Sequence, residues 1–160
     1  MENEFSLEPL KMQALAEIQE ISDLNEMSGR FGLAFSERQI RNLVEKRFEA
    51  LKDTGRIEFG TGILKKLIYA FCDSPYIYPG NYEETIAELQ DLFYYFKNET
   101  EDRIPDDDLI EFMKDTFDGK AQGSLAFLYG TPLEDFSRSA RYGFKEDDTP
   151  EESFEENNEE

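Results

Sequence analysis

"SERQIRNLVEKRFEALKDTG", Ser36 to Gly55, carries both ends and the buried face of a helix in one run. Ser36 and Gln39 have the spacing of a capping box, in which the serine hydroxyl accepts from a first-turn amide and the glutamine side chain reaches back. Ile40, Leu43, Val44, Phe48 and Leu51 then recur at intervals of three and four, the period of a single helical face. Gly55 stands where a left-handed residue ends such a helix at little steric cost. This grammar of cap, stripe and stop recurs along the chain and predicts an all-α fold.

Upstream, Leu7, Leu10, Ala14, Leu15, Ile18 and Ile21 make an apolar stripe that predicts a helix from about Leu7 to Met27, with Gly29 and Gly32 marking its end. Downstream, Leu64, Leu67, Ile68, Phe71 and Cys72 are spaced as one buried face, and Asp73, Ser74 and Pro75 close that helix. "NYEE" (Asn81 to Glu84) reads as a cap opening a long helix to about Asp102, with Tyr82, Ile86, Leu89, Phe93 and Phe96 along one side. "PDDD" starts a helix over Asp106 to Phe117, its acids in the turn the macrodipole favours. "TPLE" (Thr131 to Glu134) starts a last one that stops near Gly143, with proline at the first helical position.

Composition agrees. Leu, Ile, Val and Phe make up 40 of 160 residues, enough to expect a folded core, and only one of them is valine, which leaves little to favour sheet. Length predicts one compact domain, residues 1–144, of about six or seven helices. Residues 145–160, "KEDDTPEESFEENNEE", hold nine acids, one lysine and one phenylalanine, too little apolar surface to offset ordering, so they are expected to form a disordered acidic tail.

The chain has 37 acids, 17 bases and no histidine, a net charge of −20. Direct binding to nucleic acid or to an anionic membrane surface is therefore not expected. No run approaches the roughly 20 apolar residues of a membrane span, and the N-terminus lacks the basic region of a signal peptide, so the protein is expected in the cytoplasm. The charge is unevenly spread. Arg30 to Lys66 is locally +4, whereas Asn81 to Asp118 is locally −10.

Without histidine, Ser-His-Asp catalysis, zinc-histidine sites and carboxylate-histidine di-iron sites are excluded. Cys72, the single cysteine, also lacks the usual activating base and falls on an apolar stripe, so it is read as core. Asp106, Asp107 and Asp108 are read as first-turn acids rather than metal ligands. The loop from Asp118 to Tyr129 has a glycine where a calcium loop wants one, but with Lys120, Gln122 and Tyr129 at the third, fifth and twelfth positions it lacks the acidic ligands and the closing bidentate glutamate of such a loop. No metal and no cofactor are expected.

Two stretches remain as candidate sites. Thr61 or Gly62 would cap the third predicted helix, and Lys65 and Lys66 fall in its first turn, where bases oppose the dipole. With Arg56 nearby, these residues could hold a phosphate or carboxylate, the alternative being that they pair with the protein's own acids or with solvent. Phe93, Tyr94, Tyr95 and Phe96 are aromatic nearly all round the helix, which demands either a central helix or a partner surface.

At "TGRIEFGTGILKKLIYAFCDSPYI" (Thr54 to Ile77) and "YFKNETEDRIPDDDLIEFMKDTFDG" (Tyr95 to Gly119) the chain resembles a family of small, uncharacterised bacterial proteins of about this length, classed as a domain of unknown function. The resemblance implies a single-domain bacterial protein of the cytoplasm, and carries over no activity or site residue. From the residues, the leading expectation is a non-enzymatic interaction protein that docks a protein partner, or itself, through Phe93 to Phe96. The alternatives are a small-anion or phosphometabolite binder at Arg56, Thr61, Gly62, Lys65 and Lys66, and an acidic mimic of nucleic acid.

Overall fold

A computed structural model describes residues 15–58, 60–130 and 132–142 of the chain. The regular structure among them is entirely helical. It comprises α1, helical over 15–23, α2 (Asn25–Ser28), α3 (Glu37–Thr54), α4 (Ile63–Phe71), α5 (Tyr82–Glu99), α6 (Asp106–Asp118), α7 (Leu125–Gly130) and α8 (Pro132–Arg141). None of the described helices is long and apolar enough to cross a membrane. The expected start of α1 at Leu7, the Thr131 cap, the stop at Gly143 and the acidic tail lie outside the described residues. The chain divides into two compact units, Met1–Tyr94 and Tyr95–Glu160.

In the first unit, α3 has the ends its sequence predicts. The Gln39 amide donates to Ser36 Oγ at 3.1 Å, the Ser36 amide donates to Gln39 Oε1 at 2.8 Å, and Gly55 stops the helix at φ 71°. Ile40, Leu43, Val44 and Leu51 are buried. The first expected helix is not continuous, because the chain turns at Leu24 before α2 and a short 3-10 turn at Gly29–Phe31. Side chains tie down the loop that follows. Asn25 both donates to the Phe35 carbonyl and accepts from its amide, each at 2.9 Å, and Ser28 Oγ donates to the Leu33 carbonyl at 2.8 Å. Asn81 works in the same way rather than as the expected helix cap: its Oδ1 accepts from the Tyr78 amide and its Nδ2 donates to the Tyr76 carbonyl.

The largest fully buried side chain of this unit is charged. Arg47 stands on the apolar face of α3, seven residues after Ile40, and is 0% exposed. Its Nη1 donates to Glu17 Oε1 of α1 at 2.7 Å, while Nε and Nη2 donate to Glu58 Oε1 at 3.2 and 3.1 Å. The Tyr94 hydroxyl of α5 donates to the same Glu58 oxygen at 2.5 Å. Burial works against the Arg47 charge, yet the facing Glu17, Tyr94 and Glu58 outweigh it and hold its pKa above the ordinary value. Burial, and then the bond to Glu58, push the Tyr94 phenol upward.

Gly62 completes this arrangement. Its backbone lies at φ 55°, ψ −137°, and a Cβ placed there would sit 1.8 Å from Glu58 Oε1 and 2.7 Å from Arg47 Nη2. Only glycine leaves room for the carboxylate and the guanidinium together.

Tyr82 stacks on Phe35 with ring centroids 3.9 Å apart, and its buried hydroxyl has no hydrogen-bond partner among the described residues. Burial pushes the phenol up to about 12; the nearby Ser28 hydroxyl works in the opposite direction and Cys72 adds to the rise.

In the second unit, α6 packs on α7 and α7 on α8. Leu109, Ile110, Met113 and Phe117 of α6, Leu128 of α7, and Leu133 and Ala140 of α8 are buried. The turn out of α5 passes through Glu101 and Asp102, both with positive φ. It is held by the buried Lys97, whose Nζ donates to the Ile104 carbonyl and pairs with Asp106 Oδ1 at 2.8 Å.

Two outcomes follow for stability. Arg47→Ala leaves Glu17 and Glu58 without their cation and is expected to cost about 3–5 kcal/mol. Gly62→Ala is expected to cost about 2 kcal/mol or more, from the strained backbone and the displaced carboxylate. Urea unfolding of both variants checks this, and a Gly62→Ala cost near zero would remove the cluster from its place against α4. The second outcome concerns alkaline pH. The folded-state pKa of Tyr82, about 12, lies above its ordinary value of 10, so its contribution is complete below pH 10 and is lost as pH rises towards 12. Tyr82→Phe is expected to be neutral or slightly stabilising at pH 7, because the phenol oxygen is unpartnered, and to unfold at higher pH than the parent in an alkaline titration.

Candidate functional site

The residues expected to bind an anion lie around the start of α4. Thr61 is 7% exposed, Arg56 and Lys65 are half-buried and Lys66 is exposed. Gly62 is the residue before the helix and no side chain caps it. Arg56 and Lys66 are engaged with other groups of the protein. The carboxylate of Glu58 lies against Gly62, in the place the sequence suggested for a ligand, and the cation facing it is Arg47. An acid of the same chain therefore stands beside the residue that precedes α4.

Cys72 is 3% exposed, with Sγ 3.4 Å from Met27 Sδ and 3.7 Å from the Tyr69 carbonyl oxygen. It packs in the core at the end of α4. Of the three first-turn aspartates of α6, Asp106 is spent on Lys97. The described residues include no group of three or more cysteines or acids arranged to hold a metal ion.

The aromatic turn of α5 is where exposure is selective. Phe93, Tyr94 and Phe96 are at most 1% exposed, whereas Tyr95 is 43% exposed. The four therefore do not form the single surface that their sequence suggested. Tyr94 is turned inward by its bond to Glu58, and Phe93 meets its ring edge-on at 5.5 Å. In the second unit, Tyr95 instead meets Tyr129 of α7, itself 46% exposed, with ring centroids 5.9 Å apart. Both rings rest edge-on or tilted against the buried Phe96, at 4.9 and 5.6 Å. Phe127, on the same short helix as Tyr129, is 43% exposed. The Glu99 charge, followed by burial and then Tyr129 and Glu134, raises the Tyr95 phenol, and Glu99 is itself paired with Arg141 at 3.2 Å.

Tyr129 was missed because its sequence position suggested the last ligand of a failed calcium loop, and nothing in the local pattern links it to Tyr95, 34 residues earlier. Arg47 was legible in principle. A base at the seventh place of an apolar stripe, between Val44 and Leu51, is a local signal that a charge is being buried.

With Glu58 at the start of α4, inorganic phosphate is expected to leave the melting temperature unchanged, equally in the parent and in Lys65→Ala/Lys66→Ala. A rise confined to the parent in a thermal-shift titration would restore an anion site there.

No curated protein and no solved structure matches the chain. Residues 20–146, most of the sequence, match a family of unknown function, DUF6323, and the protein belongs to that family.

Proposed function

We propose that the protein is a non-enzymatic docking module that engages another protein through the Tyr95–Tyr129 pair. The observation that carries this reading is the pair itself: two half-exposed phenol rings in contact, seated on a buried phenyl ring. Such a platform offers large apolar area whose rings are already held in place, so ordering them on binding costs little entropy. Tyrosine in this setting is a common energetic centre of protein interfaces. Glu134 beside Tyr95 adds a negative charge that favours a basic partner surface and speeds its approach, while Glu99 is already paired with Arg141. Catalysis is not favoured, because the buried charged side chains are occupied with partners of the same chain: Arg47 with Glu17 and Glu58, and Lys97 with Asp106.

The test is capture of a protein partner by the parent and by Tyr95→Ala/Tyr129→Ala, with light scattering on each protein alone. Both tyrosines are exposed enough that the double variant should fold, as circular dichroism would show. The expected result is a stable complex whose affinity falls roughly 30-fold or more in the double variant, the loss typical of removing an interface centre. A strict monomer that retains no partner, or a complex indifferent to the double substitution, would count against the reading.

A further inference from the structure

A second surface of the same unit has a different chemistry. α6 and α8 enclose a shallow open groove of about 360 Å³, lined by Ile104, Asp108, Glu111, Phe112, Asp115 and Phe136. Its floor is apolar. Phe112 and Phe136 stack face to face with centroids 4.1 Å apart and planes 13° from parallel, both half-buried, beside the buried Ile104. Its rim is acidic, because Asp108, Glu111 and Asp115 follow one another at i, i+3 and i+7 along α6, and all three are exposed. Bases on the enclosing helices do not neutralise them: Lys114 pairs with Asp118 and Arg138 with Asp135. Among the described residues no cation lies within ion-pair distance of the three rim acids.

We infer that this groove is a docking site for a basic amphipathic segment of a partner protein. The segment would lay one apolar side chain on the Phe112–Phe136 stack and set lysines or arginines against Asp108, Glu111 and Asp115. The inference rests on the protein being a docking module, but on a surface separate from the Tyr95–Tyr129 pair. Charge complementarity selects the occupant. A second copy of a chain with net charge −20 is repelled, whereas a basic segment is steered in and neutralises the rim. The spacing suits a helix: Asp108 and Asp115 are separated by about 10.5 Å of helical rise, the distance between bases seven residues apart on a partner helix. An open groove with an apolar floor cannot enclose a small polyamine, which would leave the phenyl stack uncovered.

The test uses the full chain and a fluorescein-labelled peptide of lysine, leucine and alanine with bases and leucines on one helical face. A control peptide has serine for each leucine at equal charge, and spermine serves as competitor. The expected result is saturable binding of the leucine peptide, weakened by salt, and weakened about tenfold by Asp108→Asn/Glu111→Gln/Asp115→Asn, which substitutes only exposed residues. Phe136→Ala should weaken it too, while Tyr95→Ala/Tyr129→Ala should not. Amide shifts on binding should concentrate in residues 104–115 and around Phe136. Failure to bind, equal binding of the serine control, displacement by spermine as efficient as by the unlabelled leucine peptide, or indifference to the triple variant overturns the proposal. So does concentration-dependent self-association that is lost in the triple variant, which would assign the groove to a second copy. If the peptide fails while a partner is still captured through Tyr95 and Tyr129, the docking module stands and the groove does not. The reverse pattern leaves the groove and removes the tyrosine platform.

Discussion

The first unit closes around the guanidinium of Arg47. Taking this charge out of water is costly, and the chain meets the cost with three partners drawn from three other places: Glu17 on α1, Glu58 ahead of α4 and Tyr94 on α5. A planar fork presents several donors in fixed directions to two carboxylates at once, whereas a lysine offers a compact point charge without that fixed geometry. Because each partner belongs to a different element, the cluster specifies how α1, α3, α4 and α5 come together within the unit, beyond what apolar contacts alone would fix. It also explains Gly62. A glycine at the start of α4 reads as a possible ligand cradle, yet the space left by its missing side chain is filled by Glu58 and Arg47.

The same economy governs the second unit on a smaller scale. Buried Lys97 bonds the Ile104 carbonyl and pairs with Asp106, and so fixes the turn between α5 and α6 through two residues with positive φ. Arg141 at the end of α8 returns to the carbonyl and carboxylate of Glu99 at the end of α5. With these bases committed to structure, Asp108, Glu111 and Asp115 stand exposed on α6, and Tyr95 and Tyr129 stand half-exposed on α5 and α7. The acidity of Asn81 to Asp118 thus has two components: some acids hold turns, and others border the surfaces that a partner could use.

Much of the fold could be read directly. The capping box at Ser36, the stripe from Ile40 to Leu51 and the stop at Gly55 are local patterns, and local hydrogen bonding enforces them whatever surrounds them. The candidate sites were less legible. Cys72 was placed in the core by spacing alone, but the four aromatics from Phe93 to Phe96 could not be sorted into buried and exposed, because a helix that is aromatic all round carries no internal preference. Asn81 looked like a cap and became a loop tie, since an asparagine can bond forward into a helix or backward onto a turn at similar cost.

What the sequence by itself determined is helical structure, its main boundaries, the burial of apolar stripes and the sign of the charge, because each depends on neighbours within a turn or two of helix or on a plain count. Tertiary structure alone decided that Glu58 fills the space at Gly62, that Tyr95 finds Tyr129, and that Phe112 stacks on Phe136 beneath three acids. Each of these pairs residues from elements far apart in the chain, and their meeting depends on how helices pack, which no local period encodes.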